Sequence, residues 1–204
     1  MVKIGMLGGT FDPVHLGHIA VAGAVRESLS LDELLIVPAG QPLLKPARLI
    51  TPARHRLAML RLATANTPHI RVSVMEIERP GPSYTVDTIA ELKRRCGRKD
   101  EIYFILGWGN LAQLPQWREP ERLIQMCCLV AVPRPGWPRP DVAALENSVP
   151  GISKRVIFLE RPYIDISASA IRGLVARGLP IRDLVPGPVA DYIRRHKLYI
   201  GGSA

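Results

Sequence analysis

Gly8-Gly9-Thr10-Phe11-Asp12-Pro13-Val14-His15-Leu16-Gly17-His18 is the stretch that decides how this chain folds. It follows a short apolar run, Lys3-Ile4-Gly5-Met6-Leu7, which predicts a buried strand. It precedes Leu16, Ile19, Ala20 and Gly23, which recur at helical spacing. The stretch is therefore a strand-to-helix turn. Gly8 and Gly9 let the backbone bend sharply and let a ligand approach with no side chain between. Asp12-Pro13 is a turn signal, with proline pre-setting the backbone. His15 and His18 are three apart, which on a helix puts them on one face. Free N–H groups and the helix dipole at that end favour an anion. Two imidazoles beside such an end make a cradle for phosphate. The competing readings are a glycine-rich turn with two surface histidines, and a His-x-x-His metal pair. The metal pair lacks a local third ligand, and no cysteine or histidine cluster follows. The length of the motif favours nucleotide phosphate over both.

The remaining composition fits such a site. At 204 residues, one α/β domain spanning 1–204 is the default, with room for a sizeable core. A hydrophobic content of 47% against 22% charged residues excludes a disordered chain. Lys and Arg number 27 against 18 Asp and Glu, a net charge of +9 that suits anionic partners. No Lys/Arg block is long enough to read as a nucleic-acid arm. Arg94-Arg95 and Arg194-Arg195-His196-Lys197 read as solvated helix ends, where cations meet the negative pole. Cys96, Cys127 and Cys128 are an odd number at spacings that make no disulfide framework, and core packing accounts best for at least one of the adjacent pair. No signal peptide or membrane-spanning run is visible, so the expected place is the cytoplasm and no membrane partner is expected. A homo-oligomer is left open.

Along the chain, Glu33 to Pro38 predicts a second buried strand, which completes a βαβ unit within the first 38 residues. A parallel sheet with right-handed crossovers follows. Ala39 to Pro46 is a Pro/Gly loop at the carboxyl edge of that strand, where ligands bind in open parallel sheets, and Lys45 is its one cation. Thr51-Pro52 predicts a capped helix from Arg54 to Ala65, with Leu57, Leu60 and Met59 inward and His55-Arg56 in a structural role. Ile70 to Val74 predicts a strand, Glu76 to Gly81 a turn-rich link, and Thr85 to about Cys96 a helix capped by Ser83 or Thr85. Ile102 to Gly107 predicts a central strand and Cys127 to Val132 another, leading to Pro133-Arg134-Pro135-Gly136 at the ligand edge. Arg134 has the geometry to pair with a carboxylate. Residues 136–151 carry a short helical stretch at best, and Arg155 to Leu159 predicts the last strand. In Ile166-Ser167-Ala168-Ser169-Ala170-Ile171-Arg172, Ser167 is a natural N-cap, and Ser169 and Arg172 share a face at a helix start. A hydroxyl, a guanidinium and free N–H groups together suit a triphosphate.

The opening string resembles the signature of nucleotidyltransferases that carry a His-x-Gly-His motif. Its Gly-Gly-Thr-Phe-Asp-Pro form is similar to the bacterial nicotinate-mononucleotide adenylyltransferases, and the resemblance extends from Gly8 to Tyr199. Ser83-Tyr84-Thr85-Val86-Asp87-Thr88 matches that family's Ser-Tyr-Thr-x-Asp-Thr string, Arg134-Pro135-Gly136 its Arg-Pro-Gly, and the Ile166–Arg172 string its Ile-Ser-Ser-Thr-x-Ile-Arg. The chain departs from the pattern in three places. Leu43-Leu44-Lys45 stands for Pro-His-Lys, Ala168 for a serine, and Gly107-Trp108-Gly109 for Gly-Ala-Asp, whose acid meets a ribose in the family. Trp108 either stacks on a base or fills space.

The resemblance implies a doubly wound parallel sheet and the transfer of AMP from ATP to nicotinate mononucleotide, with release of pyrophosphate. It implies that His15, His18, Lys45 and Arg172 are the catalytic group, and that Gly8, Gly9, Thr10, Phe11, Gly107, Ile166 and Ser169 meet the nucleotide. Tyr84, Thr85, Trp108, Trp117 and Arg134 are expected on the acceptor side, with Trp117 stacking on the pyridinium ring. Mg²⁺ is expected on the phosphates of ATP, mostly water-bound and without a dedicated protein site. Transfer to another phosphorylated acceptor such as phosphopantetheine, or a nucleotide sensor without catalysis, are the alternatives.

Overall fold

The computed structural model describes residues 1–42 and 50–201. Strand β1 (Lys3–Gly9) leads through the glycine turn into helix α1 (Leu16–Leu29), and β2 (Glu33–Pro38) returns beside β1. The two strands pair in parallel, with Met6 opposite Leu35 and Gly9 opposite Pro38. Helix α1 stops at Ser30, whose left-handed backbone (φ 50) sends its N–H back to the Arg26 and Glu27 carbonyls. Helix α2 (Ala53–Thr64) and β3 (Ile70–Val72) extend the sheet outward.

The chain then crosses back. One helical turn, α3 (Met75–Glu78), and helix α4 (Thr85–Arg95) lead to β4 (Glu101–Gly107), which pairs with the other edge of β1. Helices α5 (Trp108–Ala112) and α6 (Pro120–Met126) precede β5 (Cys128–Val132), and α7 (Val142–Ser148) precedes β6 (Val156–Phe158). Helices α8 (Ala168–Ala176) and α9 (Gly187–Arg195) close the fold. The sheet has six strands in the order β3-β2-β1-β4-β5-β6, and every pair is parallel. This is a doubly wound, Rossmann-like sheet. Its order reverses between β1 and β4, and the loops leaving those two strands diverge to open a crevice at their carboxyl ends.

Period-two alternation along the strands builds a core on each face. Leu7, Leu34, Ile36, Ile105 and Val130 face one core, with α1, α2 and α9 packed over them. Ile4, Met6, Phe104, Leu106 and Leu129 face the other, beneath α4 and α6. Each fully buried side chain of this size contributes about 1.5–3 kcal/mol, so the central strands hold the sheet and leave the edge loops free to bind.

Several boundaries differ from the sequence expectation, each for a local reason. Pro52, not Thr51, is the residue before α2. Thr51 gives its N–H to Asp12 Oδ2 at 3.4 Å and its carbonyl to Arg56 Nε at 2.9 Å. Neither Ser83 nor Thr85 caps α4, because Tyr84 stands at the cap and the Ser83 hydroxyl accepts from the Gly40 and Gln41 N–H groups instead. Leu57 is half-buried, while Met59 and Leu60 are fully enclosed. Between 136 and 151 the chain forms a regular capped helix, α7, with Asp141 Oδ1 accepting from Ala143 N at 2.9 Å. Cys127 is buried in the second core, as its apolar surroundings imply.

Candidate active site

A cleft of about 520 Å³ opens at the reversal of strand order. Its floor is Gly8, Gly9 and Thr10 from the end of β1 and Gly107 from the end of β4. Phe11 closes one side. Its backbone lies in the left-handed region (φ 51), which swings the ring back over Gly9. A Cβ on Gly9 would stand 3.1 Å from that ring, and one on Gly17 would stand 3.0 Å from His15 Nδ1. A side chain at either position would crowd a ring of the site, so close approach as well as turn geometry favours glycine there.

His15 sits at the N-cap of α1, and His18 one turn in. Their rings stack with centroids 3.6 Å apart, and Phe11 meets the His18 ring edge-on at 4.8 Å. The His15 N–H donates to His18 Nδ1 at 3.2 Å. A neutral His18 whose Nδ1 accepts must carry its proton on Nε2, so that edge of the ring is a donor. Burial lowers His15 to about 4, with the positive charge of Arg134 adding to it. His18 is held well below its ordinary value by burial, then by His15 and Arg134. Both imidazoles are thus neutral at pH 7. His15 Nδ1 is buried without a hydrogen-bond partner among the described residues. A stacked, neutral pair at a helix N-terminus, with a donor on His18 Nε2, suits an anion.

Arg172 reaches the same place from α8. Its guanidinium donates to the Asp12 carbonyl at 2.6 Å and to Ser169 Oγ at 2.9 Å. Ser167 caps α8 by accepting from Ala170 N at 3.2 Å. Arg172, Ile166, Ser167 and Ala168 line the cleft, whereas Ser169 is exposed beside it and touches it through Arg172. Tyr84 and Thr85 from the start of α4, together with Trp117 and Arg134, also line the cleft. Trp117 is half-buried and packs toward Phe104, with ring centroids 6.1 Å apart. Lys45 lies outside the described residues. Trp108 is not among the residues that line the cleft and is half-buried against the second core.

Sequence reasoning missed three residues of the cleft. Arg118 lines the cleft with its guanidinium 4.6 Å from the centre of the Tyr84 ring, a cation–π contact. Asn110 enters from α5. Glu76 lies in a segment that reads only as a link, yet it lines the cleft and is buried. Thr88 Oγ1 donates to Glu76 Oε1 at 2.7 Å, while burial pushes the carboxyl upward against that bond. No periodic or motif signal marks these positions.

Two buried polar residues brace the cleft, Arg56 from behind it and Asp12 from its wall. Arg56, 1% exposed, donates to the carbonyls of Thr51 and Thr10 at 2.9 Å each and makes a longer 3.5 Å contact to Gly40. Asp12, 2% exposed, accepts the Tyr199 hydroxyl at 2.7 Å. Among the described residues, no group of three or more His, Cys, Asp or Glu could hold a metal ion, and no helix is long and apolar enough to cross a membrane.

Comparison with known proteins agrees with this geometry. The model of the cytidylyltransferase-like family matches residues 6–174. A probable nicotinate-nucleotide adenylyltransferase of Dehalococcoides mccartyi is 46% identical over 198 residues, covering 97% of each chain. One from a Roseiflexus species is 47% identical over 196 residues, covering 96% of this chain and 97% of its own. The solved structure of the Plasmodium falciparum nicotinic acid mononucleotide adenylyltransferase complexed with NaAD superposes with a TM-score of 0.80 at 21% identity. It covers 98% of both chains, a likeness of fold.

Proposed function

The chain belongs to the cytidylyltransferase-like family, and on that premise we propose that it is a nicotinate-nucleotide adenylyltransferase. It moves AMP from ATP to nicotinate mononucleotide, giving nicotinate adenine dinucleotide and pyrophosphate. The observation that carries this reading is one cleft lined by the stacked His15–His18 pair, Arg172, Tyr84, Trp117 and Arg134.

The phosphate oxygen of the mononucleotide attacks the α-phosphorus of ATP. A new P–O–P bond forms as the bond from the α-phosphorus to its bridging oxygen breaks, and that oxygen leaves with pyrophosphate. The attacking group is already an anion, so no residue need act as general base. The protein's work is to align the two phosphates and to meet the charge that grows on the leaving group. His18 Nε2–H, the N-terminus of α1 and Arg172 would do this, and the Lys45 charge would add to theirs. Gly8, Gly9 and Thr10 would let the nucleotide lie against bare backbone. Mg²⁺ would arrive with ATP and stay on its phosphates. Trp117 would stack on the pyridinium ring, and Arg134 would pair with the carboxylate of the acceptor.

His18→Ala tests the site directly. The expected result is a loss of about 100-fold or more in kcat, as when one donor to developing charge is removed. A rate within about threefold of wild type would remove His18 from the transition state.

A further inference from the structure

The chain reads Gly107-Trp108-Gly109 after β4 and Arg134-Pro135-Gly136-Trp137 after β5, and the two segments lie against each other. Gly136 has a φ of +80, and the Trp137 N–H donates to the Arg134 carbonyl at 3.1 Å. Arg134 to Trp137 thus close a tight turn with proline second and glycine third, the pattern of a type II turn. The turn brings Trp137 back across α5. A Cβ built on Gly109 would stand 2.6 Å from indole Cδ2 and 2.7 Å from Cε2, closer than carbon atoms approach. A Cβ built on Gly107 would lie 3.7 Å from Arg134 Cδ. Each end of the turn therefore rests on a glycine, with the stem of Arg134 over Gly107 and the indole over Gly109.

Trp137 itself is 43% exposed and does not line the cleft. It is neither a ligand contact nor core, and its buried face is used on Gly109. Arg134 is exposed and has no carboxylate partner among the described residues. A free arginine side chain keeps rotamer entropy that binding would have to remove. Fixing its backbone and stem beforehand lowers that cost. Its charge already acts on both cleft histidines.

We propose that Trp137 is a positioning residue: its indole, docked in the gap that Gly109 leaves, locks the turn that directs Arg134 into the cleft, and so sets affinity for the acceptor. The inference rests on the reading of Arg134 as an acceptor contact. Glycine at 109 and tryptophan at 137 form one device, because any side chain at 109 displaces the indole.

The test is steady-state kinetics with ATP and nicotinate mononucleotide for Trp137→Ala, Trp137→Phe, Gly109→Ala, the Gly109→Ala/Trp137→Ala pair and Arg134→Ala, with thermal melts alongside. Trp137→Ala is expected to raise KM for the mononucleotide about tenfold while KM for ATP stays within about twofold. Trp137→Phe should recover most of the loss. Gly109→Ala should reproduce it, and the pair should be no worse than Trp137→Ala alone, since the clash is gone. An unchanged acceptor KM in Trp137→Ala, with a raised one in Arg134→Ala, overturns the inference and leaves the Arg134 reading standing. An unchanged acceptor KM in Arg134→Ala overturns both. Losses that simply add in the pair, or that fall equally on both substrates, also overturn the inference.

Discussion

The Tyr199 hydroxyl donates to Asp12 Oδ1 at 2.7 Å, joining residues 187 apart in the chain. Asp12 lies in the glycine turn that opens the site, and Tyr199 lies beyond the last helix. Arg172 donates to the carbonyl of the same Asp12. Both ends of the chain are thus fastened to one residue beside the stacked histidines. Burial and the Asp12 charge drive the phenol far upward, so it remains a donor at any working pH.

Tyr199→Phe tests this fastening. It removes one hydrogen bond to a buried carboxylate and leaves the ring in place. The expected cost is about 1–3 kcal/mol of unfolding free energy, read from a denaturant midpoint. KM for ATP should rise with it, because the turn that holds the phosphates is loosened. Equal stability and equal KM would show that Asp12 does not depend on the phenol.

Arg56 makes a stronger prediction. Its guanidinium binds the Thr10 carbonyl after β1 and lies near the Gly40 carbonyl after β2, so it ties together the two loops that frame the cleft. Lysine cannot reproduce a planar fork that donates to separated carbonyls. Arg56→Lys is expected to destabilise the fold by about 2 kcal/mol, and Arg56→Ala by about 3 kcal/mol or more. Calorimetric melting of both variants checks the order.

The lowered histidines predict the direction of acid sensitivity. In the unfolded chain an imidazole titrates near 6.5, whereas burial lowers folded His15 to about 4 and holds His18 well below its ordinary value. Between those values the unfolded state binds protons that the folded state refuses. The stability linked to each neutral histidine is complete above about pH 6.5 and falls by up to about 1.4 kcal/mol per pH unit below it. Wild type should therefore lose more stability between pH 7 and pH 5 than His15→Gln/His18→Gln. Parallel pH profiles for the two proteins would contradict the burial of neutral imidazoles.

Trp117 should separate the two substrates. Stacking of one ring on an aromatic side chain is worth about 1–3 kcal/mol, so Trp117→Leu is expected to raise KM for the mononucleotide by about tenfold or more. KM for ATP should change little, because Trp117 is read as a contact of the acceptor ring. Trp117→Phe, which keeps an aromatic face, should fall between. A loss confined to ATP would reverse that reading.

Much of this was legible in the sequence because it is local. The glycine turn, the βαβ unit and the Ser167 cap each follow from residues within a few positions of one another. Arg56 was recognisable as structural, but not its bonds, because Thr10 lies 46 residues away. The same holds for Asp12 with Tyr199 and for Gly109 with Trp137, whose partners are set by the register of β4 against β5. Glu76 and Arg118 were hidden for a further reason. A buried carboxylate in a short helical turn and an exposed arginine leave no periodic trace, and only the closing of the sheet brings them to the cleft. Trp108 shows the opposite case: a bulky residue within a motif read as a contact, which lies against the second core and not among the residues that line the cleft.

The most direct measurement is pyrophosphate release from ATP and Mg²⁺ with nicotinate mononucleotide, its amide and phosphopantetheine compared side by side, with the organic product identified by mass. The account predicts the fastest release with nicotinate mononucleotide and one nicotinate adenine dinucleotide formed per pyrophosphate. Demonstrable ATP binding with no release on nicotinate mononucleotide, or faster release with phosphopantetheine, would contradict it.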